Sequence, residues 1–289
     1  MTEKNKGRVK IPKGYVRLRI TKPSILVEQY YKDQLTDLVD DMCRSVEYWV
    51  ASSFKKVEPH IGVSDVAPGK AFGDLSRQMA ELTKRWNDRF KDRSDDLAKL
   101  FTKKVAGHVN SSFDKALKAV GFGINFQITP QQKLLLKATV KENVSLIRSI
   151  PEQYLSAVEG RVFRAVSTGG DLQALSDWLE QRHGITRRRA VLIASDQNSK
   201  AASNLTKIRQ EEAGVEYAIW RHSGGGHKPR QSHVDFSGKV YEVKKGAYID
   251  GEYIHPGQLI HCRCVSIPII SRRQLQRLRD QGKIKENPA

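Results

Sequence analysis

The sequence predicts an α+β protein: a long-helix N-terminal part, then a small α+β domain with a short antiparallel sheet. Three observations lead there. Apolar residues recur at steps of three and four through most of the first 210 positions, which is the helical period. After Gly214 the pattern changes to alternation, the strand period. The 289 residues, 39% of them hydrophobic, suffice for a real core and for about two domains.

The elements follow in order. Eight basic residues and one acid occupy Met1 to Lys22, with Gly7, Pro12 and Gly14 interspersed, so residues 1–23 read as a basic arm without a core of its own. Ser24, after Pro23, is placed to cap a helix whose apolar face runs Tyr31, Leu35, Leu38, Met42, Val46, Trp49, Val50. Residues 58–70 read as a loop. A second long face follows, Leu75, Met79, Leu82, Trp86, Phe90, Leu97, Phe101, Val105, Val109, Phe113, Leu117, Val120, with a kink expected at the polar stretch 93–96 and an end at Gly121. A face this long is expected to finish its burial against another protein. Pro130 to Ser149 reads as one helix and Pro151 opens another. Asp171 caps a helix ended by His183-Gly184, and Thr186 caps a further one closed by Gly214. Strands are expected at 215–220, 239–243 and 264–269, with Pro268 favouring a sheet edge. The tail, with Leu275 and Leu278 three apart, suits a short helix. The resulting divisions are 1–23, a helical domain at 24–149, an α+β domain at 150–270 and a basic tail at 271–289.

Composition narrows the function. Fifty Lys+Arg against 32 Asp+Glu leave a net charge of +18, which points to a polyanionic partner. No apolar run approaches the roughly 18–20 residues of a membrane span. No apolar stretch follows the basic N-terminus, so a secretory signal is not expected. Three cysteines, an odd number, argue for a reducing compartment over a disulfide framework. The cationic candidates for a DNA contact are Lys4, Lys6, Arg8, Lys10 and Lys13 in the arm, Arg187, Arg188 and Arg189 at a helix start, Lys228 and Arg230 in a glycine-rich loop, and Arg272 and Arg273 in the tail. With no recognition-helix or finger signature, that contact is expected to be sequence-independent.

Chemistry-bearing residues concentrate between Trp220 and Cys264. Cys262-Arg263-Cys264, with His222, His227, His233, His255 and His261 nearby in sequence, holds the donor types of a zinc site. Structural zinc sites usually space their cysteines by two or more residues, so two buried, reduced cysteines on one strand face are the preferred reading, with no metal or cofactor. Arg230 and His233, three apart, together with His222 or His227, have the residue types of a metal-independent nuclease, with one histidine as base, one as acid and Arg230 on the phosphate. The plainer reading is a structural pair that fixes the loop.

Taken in order, Arg189 to Asp196 in a helix, a strand to Trp220, Pro229-Arg230-x-x-His233, Ser237-Gly238-Lys239-Val240-Tyr241, Pro256-Gly257 and Cys262-Arg263-Cys264 resemble the Mu-F-like family of phage head morphogenesis (minor head) proteins. The resemblance covers about residues 150–270. Two departures stand out: no aspartate near Gly226, and His261 where many members have asparagine before the cysteines. The resemblance implies a non-enzymatic virion protein of the capsid interior, made in the host cytoplasm. Its implied partners are the portal protein, double-stranded DNA and, more loosely, a scaffold or the major capsid protein. Trp220, Arg230, His233, Gly238, Cys262, Arg263 and Cys264 would be its structural motif residues. The alternatives are a nuclease or toxin-like enzyme delivered with phage DNA, using His233 and Arg230, and a host-encoded nucleic-acid-binding protein.

Overall fold

A computed structural model describes residue 11 and residues 13–57, 69–123, 129–168, 171–224, 228–280 and 285–286. The architecture is α+β, with long helices first and a small antiparallel sheet after them. Strand β1 (Tyr15–Arg17) leads into helix α1 (Ile25–Val57). Ser24 caps that helix as expected: its hydroxyl accepts the Val27 N–H at 3.3 Å. Helix α2 (Gly69–Lys118) runs through residues 93–96 without interruption. The Ser94 hydroxyl donates to the Lys91 carbonyl and accepts the Arg148 Nε–H, so the polar stretch is satisfied inside the helix. Strand β2 (Phe122–Gly123) follows the turn at Gly121.

The two expected helix pairs are each one helix. Helix α3 (Pro130–Thr168) carries Pro151 in its interior, and helix α4 (Leu172–Glu212) passes through Gly184 and Thr186. An internal proline costs a helix about 3 kcal/mol and a glycine about 1 kcal/mol. Around Pro151, burial of Ile147, Ile150, Tyr154, Leu155 and Val158 outweighs that cost. Around Gly184, His183 Nε2 lies 2.8 Å from Asp40 of α1, and Arg189 donates to Ser149 of α3 at 2.9 Å. Thr186 is no cap here, because its hydroxyl donates to the Arg182 carbonyl one turn back. The cap at Asp171 does form, accepting the Ala174 N–H at 2.7 Å. Gly214 (φ 67°) closes α4 in a paired arrangement, its own N–H donating to Glu211 and that of Val215 to Gln210.

The remaining elements are β3 (Tyr217–Arg221), the short helix α5 (Gln231–Asp235), β4 (Val240–Glu242), β5 (Ala247–Ile249), β6 (Glu252–Ile254), β7 (Val265–Ser271), α6 (Arg272–Asp280) and β8 (Lys285–Glu286). The main sheet is antiparallel in the order β1-β7-β3-β4, and β2 with β8 and β5 with β6 form two small ladders. Tyr15–Arg17 is therefore not a free arm but an edge strand, held because Leu18 is buried beside it in the sheet's core. Residues 1–10 and 12 lie outside the described residues.

Pro268 is not on an edge strand, since β7 has β1 on one side and β3 on the other. Its carbonyl accepts the Leu18 N–H at 3.0 Å, one residue past the end of β1. In a strand the N–H and C=O of one residue face the same side, so the missing N–H of Pro268 falls where the β1 ladder stops.

The chain forms two compact units, residues 1–28, 102–139 and 196–289 in one, and 29–101 and 140–195 in the other. In the first, Ala218, Trp220, Tyr241, Cys264 and Ile270 share one sheet face and pack with Phe113, Ala116 and Leu117 of α2 and with Leu275 of α6. Leu275 thus rests the tail helix on the body, as its spacing implied. In the second unit, Tyr31 stacks on Phe101 with ring centroids 4.1 Å apart, and its hydroxyl donates to Asn143 Oδ1 at 2.8 Å. The apolar face of α2 finds its cover within the chain. Leu75, Met79, Leu82, Trp86, Phe90, Phe101, Val105, Val109 and Phe113 are all buried, which corrects the expectation of an uncovered face. No helix of the described residues is long and apolar enough to cross a membrane.

Candidate functional site

The register of the sheet assembles the motif. Trp220 of β3 pairs with Ser266 of β7 and Arg221 with Val265, so continuing the ladder sets His222 opposite Cys264. Side chains alternate along a strand, which places Trp220, His222 and Cys264 on one face. Cys262 precedes Cys264 by two and returns to the same side, while the intervening Arg263 is exposed and lies 3.5 Å from Glu28. Helix α5 then brings His233 onto this face. Its ring meets Trp220 edge-on at 5.1 Å between centroids.

Four side chains thus converge. His233 Nδ1 lies 3.4 Å from Cys262 Sγ and 3.7 Å from Cys264 Sγ, and His222 Nδ1 lies 3.7 Å from Cys264 Sγ. His233, Cys262 and Cys264 are 2%, 4% and 5% exposed. Cys262 is held below the usual thiol range, mainly by the Cys264 S–H donated to it, aided by the backbone N–H groups of Cys264 and Gly257 and by His233. Cys264 is pushed up by the same bond and by burial, partly opposed by the Trp220 indole.

The surrounding loop is fixed from several directions. Arg230 donates both terminal nitrogens to the Ile260 carbonyl. Gly238 (φ 93°) donates its N–H to the Trp220 carbonyl at 2.8 Å, and the His222 N–H donates to Ser237 Oγ at 3.1 Å. Gly257 has φ 84°, and a Cβ there would come 3.1 Å from Ser203 and 3.3 Å from the Cys264 carbonyl. Only glycine lets this turn approach α4 so closely. His261 is exposed, with its N–H on Asp196 of α4 at 2.8 Å, and His255 packs against Tyr241 rather than the cysteines. His227 lies outside the described residues.

The candidate cations that are described divide between the two units. Lys4, Lys6, Arg8 and Lys10 lie outside the described residues. Arg187, Arg188 and Arg189 belong to the second unit, whereas Lys13, Lys228, Arg230, Arg272 and Arg273 belong to the first. Arg187 pairs with Asp40 at 3.3 Å and Arg189 with Ser149, so an acidic and polar protein surface offsets part of that cluster. Lys13, Arg188, Lys228, Arg272 and Arg273 are exposed.

Sequence reasoning missed a polar network around the buried Arg209. Arg209, 1% exposed, donates to Asn110 Oδ1 and Glu212 Oε2, each at 2.8 Å, and Glu212 also accepts from Thr129 and Gln132. The three-residue spacing of Arg209 and Glu212 was its one sequence signal. A second network joins Tyr241, Ser266 and Gln210, the tyrosine hydroxyl donating to Ser266 Oγ at 2.6 Å.

The chain is 26% identical to a Haemophilus influenzae (strain Rd) protein described as uncharacterized, over 263 residues. That match takes in 89% of the chain and 56% of the relative, so the chain spans little more than half the relative's length. No solved structure matches. The segment that builds the site is where the family signal lies: residues 156–267, which contain β3, α5, both cysteines and their histidine partners, match the family of phage Mu protein F like proteins.

Proposed function

We propose that the protein is a phage minor head protein: a structural component of head morphogenesis that sits in the capsid interior, binds the portal and touches packaged DNA without sequence preference. The observation that carries this reading is the family match over residues 156–267, the segment that holds the buried motif. The net charge of +18 supports a DNA-facing role, and the exposed Lys228, Arg272 and Arg273 offer phosphate contacts.

A framework role for the motif is supported by His233, which is buried against sulfur, and by the Arg230 guanidinium, which donates to the Ile260 carbonyl. The nuclease alternative requires both to be free.

The test is co-expression with the portal protein of the same phage, followed by purification of portal rings. Co-elution of this chain with the rings, together with no cleavage of duplex DNA, is the expected result. Failure to co-elute overturns portal association, and DNA cleavage abolished by His233→Ala establishes the enzyme instead.

A further inference from the structure

We propose that His222, His233, Cys262 and Cys264 are the four ligands of a structural zinc ion. The argument is geometric. Zinc takes thiolate at about 2.3 Å and imidazole at about 2.05 Å, so a tetrahedral ion holds sulfur and nitrogen ligands about 3.5 Å apart. The separations of His233 Nδ1 from the Cys262 and Cys264 sulfurs are 3.4 and 3.7 Å, and His222 Nδ1 lies 3.7 Å from the Cys264 sulfur. The donor atoms of His233, Cys262 and Cys264 all lie within 4.8 Å of one another, and His222, outside that set of three, joins it through Cys264.

Hydrogen bonding among neutral groups accounts poorly for this arrangement. Each thiol has one proton to donate and each imidazole Nδ1 has one lone pair, yet His233 Nδ1 stands close to both sulfurs and Cys264 stands close to both histidines. One shared cation satisfies all four groups at once. The charges also balance: two thiolates and two neutral imidazoles neutralise a divalent ion, so its burial leaves no net charge in the core.

Backbone placement agrees with this. Two ligands face each other across the β3–β7 ladder, a third lies two residues before its neighbour on the same side, and the fourth comes from α5. The short Cys-x-Cys spacing is therefore no obstacle, because the other half of the coordination sphere comes from elements distant in sequence. His233, Cys262 and Cys264 are buried and His222 is half-buried, and four protein ligands leave no open position, which marks the site as structural. Mixed sulfur and imidazole donors in a tetrahedral array select zinc over magnesium or calcium. Such an ion would tie the end of β3, α5 and the turn before β7 together, and it holds whether or not the protein binds a portal.

The experiment uses the full chain, untagged, expressed in zinc-supplemented medium and purified without chelator. Metal analysis by mass spectrometry is expected to find close to one zinc per chain. Less than about a tenth of that overturns the proposal. Exchange of cobalt(II) into the unaltered chain is expected to give thiolate-to-cobalt charge transfer and the intense visible bands of a tetrahedral ion. A weak, octahedral spectrum overturns it. Cys262→Ala and Cys264→Ala are expected to lose the metal, while Cys43→Ala, at a buried cysteine in the other unit, keeps it. A folded Cys262→Ala or Cys264→Ala variant that retains stoichiometric zinc overturns the assignment, and the cobalt spectrum decides if those variants fail to fold. His222→Ala is expected to weaken zinc affinity at least about tenfold, and unchanged affinity removes His222 from the ligand set.

Discussion

The two terminal nitrogens of Arg230 both lie 3.2 Å from the carbonyl oxygen of Ile260, thirty residues further along the chain. This charge-assisted contact clamps the start of α5 to the turn that delivers Cys262. Arg230 is exposed, so water competes for it and the contact is worth about 1 kcal/mol. Arg230→Ala is expected to lower the urea unfolding free energy by about that amount and to speed amide exchange over residues 256–264. DNA affinity is expected to stay the same, since this guanidinium is already engaged.

Tyr31 joins two helices in the second unit through its stack on Phe101 and its bond to Asn143. Tyr31→Phe keeps the stack but removes the buried hydrogen bond to Asn143 Oδ1. A loss of about 1–3 kcal/mol in chemical denaturation is the expected result, with helicity unchanged at neutral pH.

Trp86 is core. It is 3% exposed, its Nε1–H donates to Ser45 Oγ at 3.3 Å, and the Arg89 guanidinium lies 4.9 Å from the ring centroid. Trp86→Ala is expected to cost about 3–5 kcal/mol, visible as a lowered melting midpoint and reduced circular dichroism at elevated temperature. Any loss of head incorporation would follow that destabilisation rather than removal of a docking anchor.

His255 sets a pH dependence. Burial, and the nearby Lys207 charge, push its imidazole down to about 4. A lowered histidine pKa means that the unfolded chain takes up a proton that the folded one refuses. This contribution is therefore full above about pH 6.5 and is lost as pH falls from there towards 4. Because the ring is partly exposed, a loss of about 1–2 kcal/mol is expected. His255→Gln should flatten that part of the stability profile, as measured by denaturant titration at a series of pH values.

DNA binding should weaken linearly in log affinity against log salt, with little difference between random duplexes. Neutralising Arg272 and Arg273 together is expected to reduce the slope by about two, one for each phosphate that no longer meets a cation. Arg187→Ala should change it less, because that side chain already pairs with Asp40. Filter binding over a range of salt concentrations separates the two.

Local signals were legible where the deciding interactions are short-range. Ser24, Asp171 and Gly214 bound their helices as their side chains and backbone freedom require. Pro151, Gly184 and Thr186 read as breaks because propensity counts only the local cost. The burial around Ile150 and Tyr154 and the anchoring of His183 to Asp40 come from other helices and override it. Pro268 misled in the same way: its missing donor matters only on the side where a partner strand is present, and β1 ends there.

By itself the sequence determined the α+β class, the helical faces, the basic character and the motif order from Trp220 to Cys264, all of which depend on periodicity, charge and turn chemistry along one stretch of chain. Only the tertiary structure decided how the faces are covered, how the two compact units interleave in sequence, and which histidines meet the cysteines. His222, His233, His255 and His261 are equivalent candidates in one dimension. The β3–β7 register and the placement of α5 turn two of them toward sulfur, set His255 against Tyr241 and leave His261 exposed. That selection is a matter of long-range strand pairing, which no local pattern encodes.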